Sequence, residues 1–225
     1  MPVRPPMHSD AATLPRQAQT MRRVALGTLA LAALAVALLP TPSTAATVGQ
    51  AAPAFQVKDS LGKTVSLADF KGKHVVLEWT NPACPFVVKH YGSNNMQGLQ
   101  KEYTAKDVVW LSINSTAKSH PEYLEPAALN AKYKDWASSS TAMLMDDAGT
   151  VGRAYGARTT PHMYVIDPAG KLVYAGGIDD RRSANPADVK DAKNFVRAAL
   201  GELLSGKPVS TPAAAPYGCS VKYAS

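Results

Sequence analysis

Residues 74–92 read HVVLEWTNPACPFVVKHYG, a β-prone run followed at once by a helix-prone one. His74 to Trp79 is rich in β-branched and large apolar residues and predicts a buried strand. Asn81-Pro82-Ala83 breaks that strand, and Pro85 suits the first position of a helix running toward Thr104. Gly92 and Ser93-Asn94-Asn95 predict a kink or restart within it. Cys84 therefore stands at a strand–helix corner. Free N–H groups and the positive end of a helix dipole at such a corner favour the thiolate of a cysteine, the nucleophilic form. A merely structural cysteine would sit more naturally mid-strand on an apolar face.

Outward from this corner, strands alternate with helices. Phe55 to Val57 and Thr64 to Leu67 flank the turn Asp59-Ser60-Leu61-Gly62-Lys63 and predict an N-terminal β-hairpin. Val108 to Ile113 and Ala142 to Met145 predict strands, with short helices over 127–136 and 151–155. Met163 to Ile166 and Leu172 to Ala175, joined by Asp167-Pro168-Ala169-Gly170-Lys171, predict a second hairpin. Asn185-Pro186 predicts the start of a last helix, carrying an apolar stripe from Ala192 to Leu204 and stopped by Gly206 and Pro208. The pattern predicts one α/β domain over residues 47–206 with a mixed central sheet flanked by helices. The Pro/Ala-rich tail, residues 207–225, would pass for a dispensable terminus, except that it carries Cys219.

The 225 residues are 46% hydrophobic and 18% charged, which excludes a wholly disordered chain. Two cysteines exclude a disulfide-dense scaffold and a four-cysteine zinc site. Residues 1–46 read as a secretory signal peptide rather than a membrane anchor: Arg22-Arg23, an apolar run from Val24 to Leu39, then small residues to Ala46, with Met21 as the start. Removing that leader takes away Arg4, Arg16, Arg22, Arg23 and Asp10, which lowers the formal charge from +7 to +4. The remaining charge is scattered, so a nucleic-acid partner is not expected. Export to a periplasmic or extracellular space would permit a disulfide.

The runs VGQAAPAFQVKDSLGKTVSLADFKGKHVVLEW and YGARTTPHMYVIDPAGKLVYAGGIDD resemble the two halves of a redoxin domain of the thioredoxin superfamily. The tail YGCSVKY is similar to that of a peroxiredoxin-like subgroup. The resemblance implies a thioredoxin-like fold with Cys84 at the active-site corner. It implies a cis Pro161 facing that cysteine, with Thr160 presenting backbone groups to an extended substrate and His162 beside them. The peroxidase pattern Pro-x-x-x-Thr-x-x-Cys fails, since Leu77 and Thr80 stand at and near its positions, and Pro161 replaces the expected arginine six residues before Asp167. Cys-x-x-Cys and Cys-x-x-x-Cys fail at Val87 and Val88.

Cys219 is then the intramolecular partner available to Cys84, as a resolving thiol or as half of a structural bridge; the third alternative is that each thiol stays free or pairs between chains. Closing such a loop could contribute up to about 5 kcal/mol. Glu78, six residues before Cys84, has the offset of the buried acid of thioredoxins and could accept the thiol proton. His90 and His162 could stabilise a thiolate or, with Cys84, hold copper; Asp179-Asp180 before Arg181-Arg182 reads as a charged surface turn. The expected function is thiol–disulfide exchange or peroxide reduction through Cys84, resolved by Cys219 or an external thiol, with no cofactor. A copper-handling module and a non-catalytic interaction domain are the alternatives.

Overall fold

The computed structural model describes residues 45–225, so nearly all of the leader lies outside the described residues. The first strands among the described residues form an antiparallel hairpin of β1 (Gln56–Lys58) and β2 (Thr64–Ser66). β3 (Val75–Trp79) leads through the Cys84 corner into α1 (Pro85–Gly92) and, after a break at Ser93-Asn94, α2 (Asn95–Thr104). There follow β4 (Val109–Asn114), α3 (Pro126–Asp135), β5 (Ala142–Met145) and α4 (Thr150–Tyr155). The two-residue β6 (Thr159–Thr160) precedes β7 (His162–Ile166), β8 (Leu172–Gly176), α5 (Phe195–Leu204) and β9 (Cys219–Ser220).

The central sheet has the order β5-β4-β3-β7-β8. β3, β4 and β5 run parallel, while β7 is antiparallel to β3 and β8 antiparallel to β7. β3 is therefore covered by a strand on each side and a core on each face, as its continuous apolar run requires. Val76, Trp110, Met163 and Val165 pack on the face with Val87, Tyr91, Leu99, Tyr133, Val196 and Leu200. Val75, Leu77, Trp79, Leu111, Ile113 and Tyr164 pack on the opposite face with Phe55, Val151 and Tyr155. Trp79 is fully buried, with its indole N–H on Ser115 Oγ at 3.0 Å. A buried ring of that size contributes about 2–3 kcal/mol.

The C-terminal region differs from the pattern in two ways. The single long helix expected after Asn185-Pro186 divides into a 3₁₀ segment, Pro186–Asp191, and α5. Asn194 caps α5 by accepting the Arg197 N–H at 2.9 Å, and Phe195 N–H donates to Ile178 O, which fixes a new start. The tail is not an appendage. Ala175 N–H donates to Pro212 O at 3.1 Å and Ala117 N–H to Lys222 O at 2.8 Å, so the tail is stitched across the domain. Among the described residues no helix is long and apolar enough to cross a membrane.

Candidate functional site

Thr80 continues β3 with its N–H on Ile113 O at 2.9 Å, and Asn81 then folds the chain over. The Asn81 side chain accepts the Ala83 N–H at 2.9 Å, and its carbonyl accepts the Cys84 N–H at 3.1 Å. These bonds turn the backbone into α1, with Cys84 as the residue before the first helical position and Pro85 in the first turn. Cys84 is 1% exposed. Its Sγ donates to Thr160 O at 3.1 Å, and the Thr160–Pro161 peptide bond is cis.

The strand holding that acceptor is occupied from outside. β9 pairs antiparallel with β6, with Cys219 opposite Thr160 and Ser220 opposite Thr159. Val221 N–H extends the pairing to Arg158 O at 3.0 Å. Cys84 and Cys219 are both free thiols, and Thr160 brings them together. Burial first, then a hydrogen bond to Cys84 and the Cys84 charge, push the Cys219 thiol up to about 12. Cys219 thus keeps its proton at neutral pH.

Gly218 makes the pairing possible. Its φ is +126°, and a Cβ there would stand 2.1 Å from Thr160 O. Tyr217, one residue earlier, anchors the tail: its hydroxyl donates to Asp179 and accepts the Nε2–H of His90 at 3.1 Å. Asn95 Nδ2 donates to the other nitrogen of His90 at 2.8 Å. The Tyr217 ring meets Phe86 edge-on at 5.9 Å, with Lys89 Nζ 5.6 Å from its centroid. Lys89 is fully buried, donates to Arg181 O at 2.8 Å, and lies 3.9 Å from Asp179. Asp179 is accordingly not part of a surface turn: it is buried beneath the tail, where its second oxygen accepts no hydrogen bond.

Glu78 is fully buried, on the same face of β3 as Val76. Tyr91 Oη donates to one oxygen at 3.0 Å; Trp110 Nε1, Gln100 Nε2 and Ser112 Oγ donate to the other at 2.8, 3.0 and 3.1 Å. Burial raises its carboxyl above the usual 4.5, against the pull of these donors. Cys84 is not among its partners; burial first, then the charges of both Glu78 and Cys84, raise the nearby Tyr133 phenol, which is bonded to Thr80 Oγ1 at 2.6 Å.

His162 is buried, and its Nδ1 accepts from Arg158 N–H at 3.3 Å, with Tyr164 Oη 3.2 Å away. Neither His90 nor His162 therefore sits free at a surface. Among the described residues no three His, Cys, Asp or Glu side chains group to hold a metal ion. Burial, with the Lys89 charge at His90 and the Arg158 charge at His162, lowers each imidazole to about 3. The approach of His90 to Asp179 at 3.9 Å is thus not an ion pair at neutral pH. Both groups bind protons more readily in the unfolded chain, near 6.5, so their contribution is complete above that value and is lost as pH falls toward 3. Lowering pH from about 7 to about 5 should cost up to about 2 kcal/mol per imidazole, read as a fall in the urea midpoint. His90→Asn should remove the larger part of one such step.

The AhpC/TSA family model matches residues 48–175, more than half of the chain. The chain belongs to the AhpC/TSA family. It is a redoxin domain of the thioredoxin superfamily, as the strand–helix corner and the mixed five-stranded sheet require. Among solved structures, a hypothetical protein from Sinorhizobium meliloti 1021 is 29% identical at a TM-score of 0.70, covering 81% of this chain and 97% of that one. An uncharacterised conserved protein from Geobacillus kaustophilus is 32% identical at a TM-score of 0.69, covering 79% and 93%. A curated relative from Halalkalibacterium halodurans, the thiol-disulfide oxidoreductase ResA, is 26% identical over 138 residues, 60% of this chain and 73% of that protein.

The family match ends before the tail, so Cys219, Gly218 and Tyr217 lie outside the part of the AhpC/TSA domain that it covers. Sequence reasoning missed Tyr217, Asp179 and Lys89 as tail anchors. One signal was available: an aromatic residue and a glycine directly before a cysteine, in a segment otherwise rich in proline and alanine.

Proposed function

We propose that the protein is a thiol–disulfide oxidoreductase that works through Cys84, with Cys219 as its resolving thiol. The observation that carries this reading is the pairing of β9 with β6, which sets Cys219 against the carbonyl that accepts the Cys84 S–H. The Cys84 thiolate attacks one sulfur of a substrate disulfide, forming a mixed disulfide and expelling the other sulfur as a thiolate. Cys219, deprotonated as it attacks, displaces the second substrate thiol and leaves a Cys84–Cys219 disulfide. Two electrons pass to the substrate, and an external thiol reductant returns the pair to the dithiol. The name of the Halalkalibacterium relative supports the same reaction class.

The Arg22–Ala46 leader supports a place outside the cytoplasm, in the periplasm or secreted. Thr160 and Pro161 serve as the substrate-facing edge, with His162 behind them. Peroxide reduction, in which Cys84 becomes a sulfenic acid, is the competing chemistry. Thiol trapping with mass spectrometry decides between them. Treatment with a small disulfide should yield a Cys84 adduct that converts to the Cys84–Cys219 disulfide, and Cys219→Ser should arrest the reaction at the adduct. Rapid sulfenate at Cys84 with hydrogen peroxide and no disulfide adduct would favour the peroxidase. No reaction with either reagent would remove the enzymatic reading.

A further inference from the structure

We propose that the C-terminal tail occupies the client's own binding lane, and that the lane selects extended peptides in which Tyr-Gly precedes the reactive cysteine. This rests on the exchange reading above and adds to it the identity of the substrate. Among the described residues β6 pairs with β9 alone, apart from the central sheet. A two-residue ladder and the bond from Val221 to Arg158 hold the tail there. Such bonds contribute about 1 kcal/mol each, and any other extended backbone can replace them by strand addition.

The register supplies the rest of the selection. A peptide paired as β9 is paired places its cysteine opposite Thr160, at the Cys84 sulfur. The residue before it meets Thr160 O at the distance that excludes a Cβ from Gly218. The residue before that enters the site lined by Phe86, Lys89, His90 and Asp179, where a phenol hydroxyl is needed both to donate to Asp179 and to accept from His90. A phenylalanine there would fit the ring but leave two buried polar groups without their partner, the kind of mismatch that discriminates strongly.

The test uses the full chain carrying Gly218→Ala, which expels the tail from β6, together with Cys219→Ser, which limits the reaction to one step. Peptides copying residues 216–222 are activated as 2-thiopyridyl disulfides on their cysteine. Cys84 attacks the peptide sulfur, a Cys84–peptide disulfide forms, and thiopyridone leaves and is followed by absorbance. The Tyr-Gly-Cys peptide should react at least about tenfold faster than its Phe-Gly-Cys and Tyr-Ala-Cys counterparts. Should Gly218→Ala fail to fold, the Cys219→Ser chain with its tail in place should give the same ranking at lower rates. Equal rates for the three peptides, with normal reaction toward a small 2-thiopyridyl disulfide, would overturn the lane while leaving the exchange reading intact. Silence toward the small disulfide as well would overturn both.

Discussion

Replacing Cys84 with serine is expected to reduce disulfide exchange to the background of the reagents, a loss of about 1,000-fold or more. A serine hydroxyl is essentially un-ionised at neutral pH and is a poor nucleophile toward disulfide sulfur, whereas a thiol is partly ionised and intrinsically reactive. The loss should not come from unfolding. The serine Oγ can still donate toward Thr160 O, and the corner is held by Asn81 through backbone and side-chain bonds that do not involve the sulfur. Cys219→Ser should behave differently, keeping the first step and accumulating the mixed disulfide. Comparable activity in Cys84→Ser and in the native chain, measured with a small aromatic disulfide, would contradict the assignment.

The second large effect concerns Glu78. Glu78→Leu should destabilise the fold by about 3–5 kcal/mol, because it removes one acceptor from a fully buried site and strands the donors of Trp110, Ser112, Gln100 and Tyr91. A urea midpoint unchanged by the substitution would contradict this. The pH dependence has the opposite sign to that of the histidines. The folded carboxyl holds its proton more tightly than the unfolded one, so stability falls as pH rises above 4.5 and levels off above the folded value. Glu78→Gln retains an oxygen acceptor without the charge and should abolish that slope. For the exchange reaction we propose that Glu78, which does not touch Cys84, serves as a positioning residue for the corner. Glu78→Gln is then expected to slow exchange by about 100-fold and flatten its pH profile, an effect that a purely structural carboxyl would not produce.

Much of this is legible in the sequence. The run from His74 to Trp79 is apolar on both faces because β3 has a core on each, and Cys84-Pro85 marks the turn into α1 because proline pre-sets the first helical residue. Length and turn residues located β7 and β8. The division of the last helix was hidden, since the apolar stripe from Ala192 to Leu204 continues across it; the break is set by a tertiary bond from Phe195 to Ile178 and by the Asn194 cap. The burial of Asp179 was hidden for a similar reason. Two aspartates followed by two arginines look solvated in sequence, and only the arrival of Tyr217 from the far end of the chain covers one of them. A two-residue strand such as β9 has no periodicity to detect.

The central claim is that Cys84 and Cys219 form a reversible dithiol pair at the corner. The measurement that tests it most directly is equilibration of the full chain across glutathione redox buffers, with mass spectrometric counting of the Cys84–Cys219 disulfide. The account predicts reversible formation with a midpoint between about −120 and −270 mV, the range of exchange proteins. A midpoint below about −300 mV, as for a structural bridge, or two thiols that never join, would contradict it.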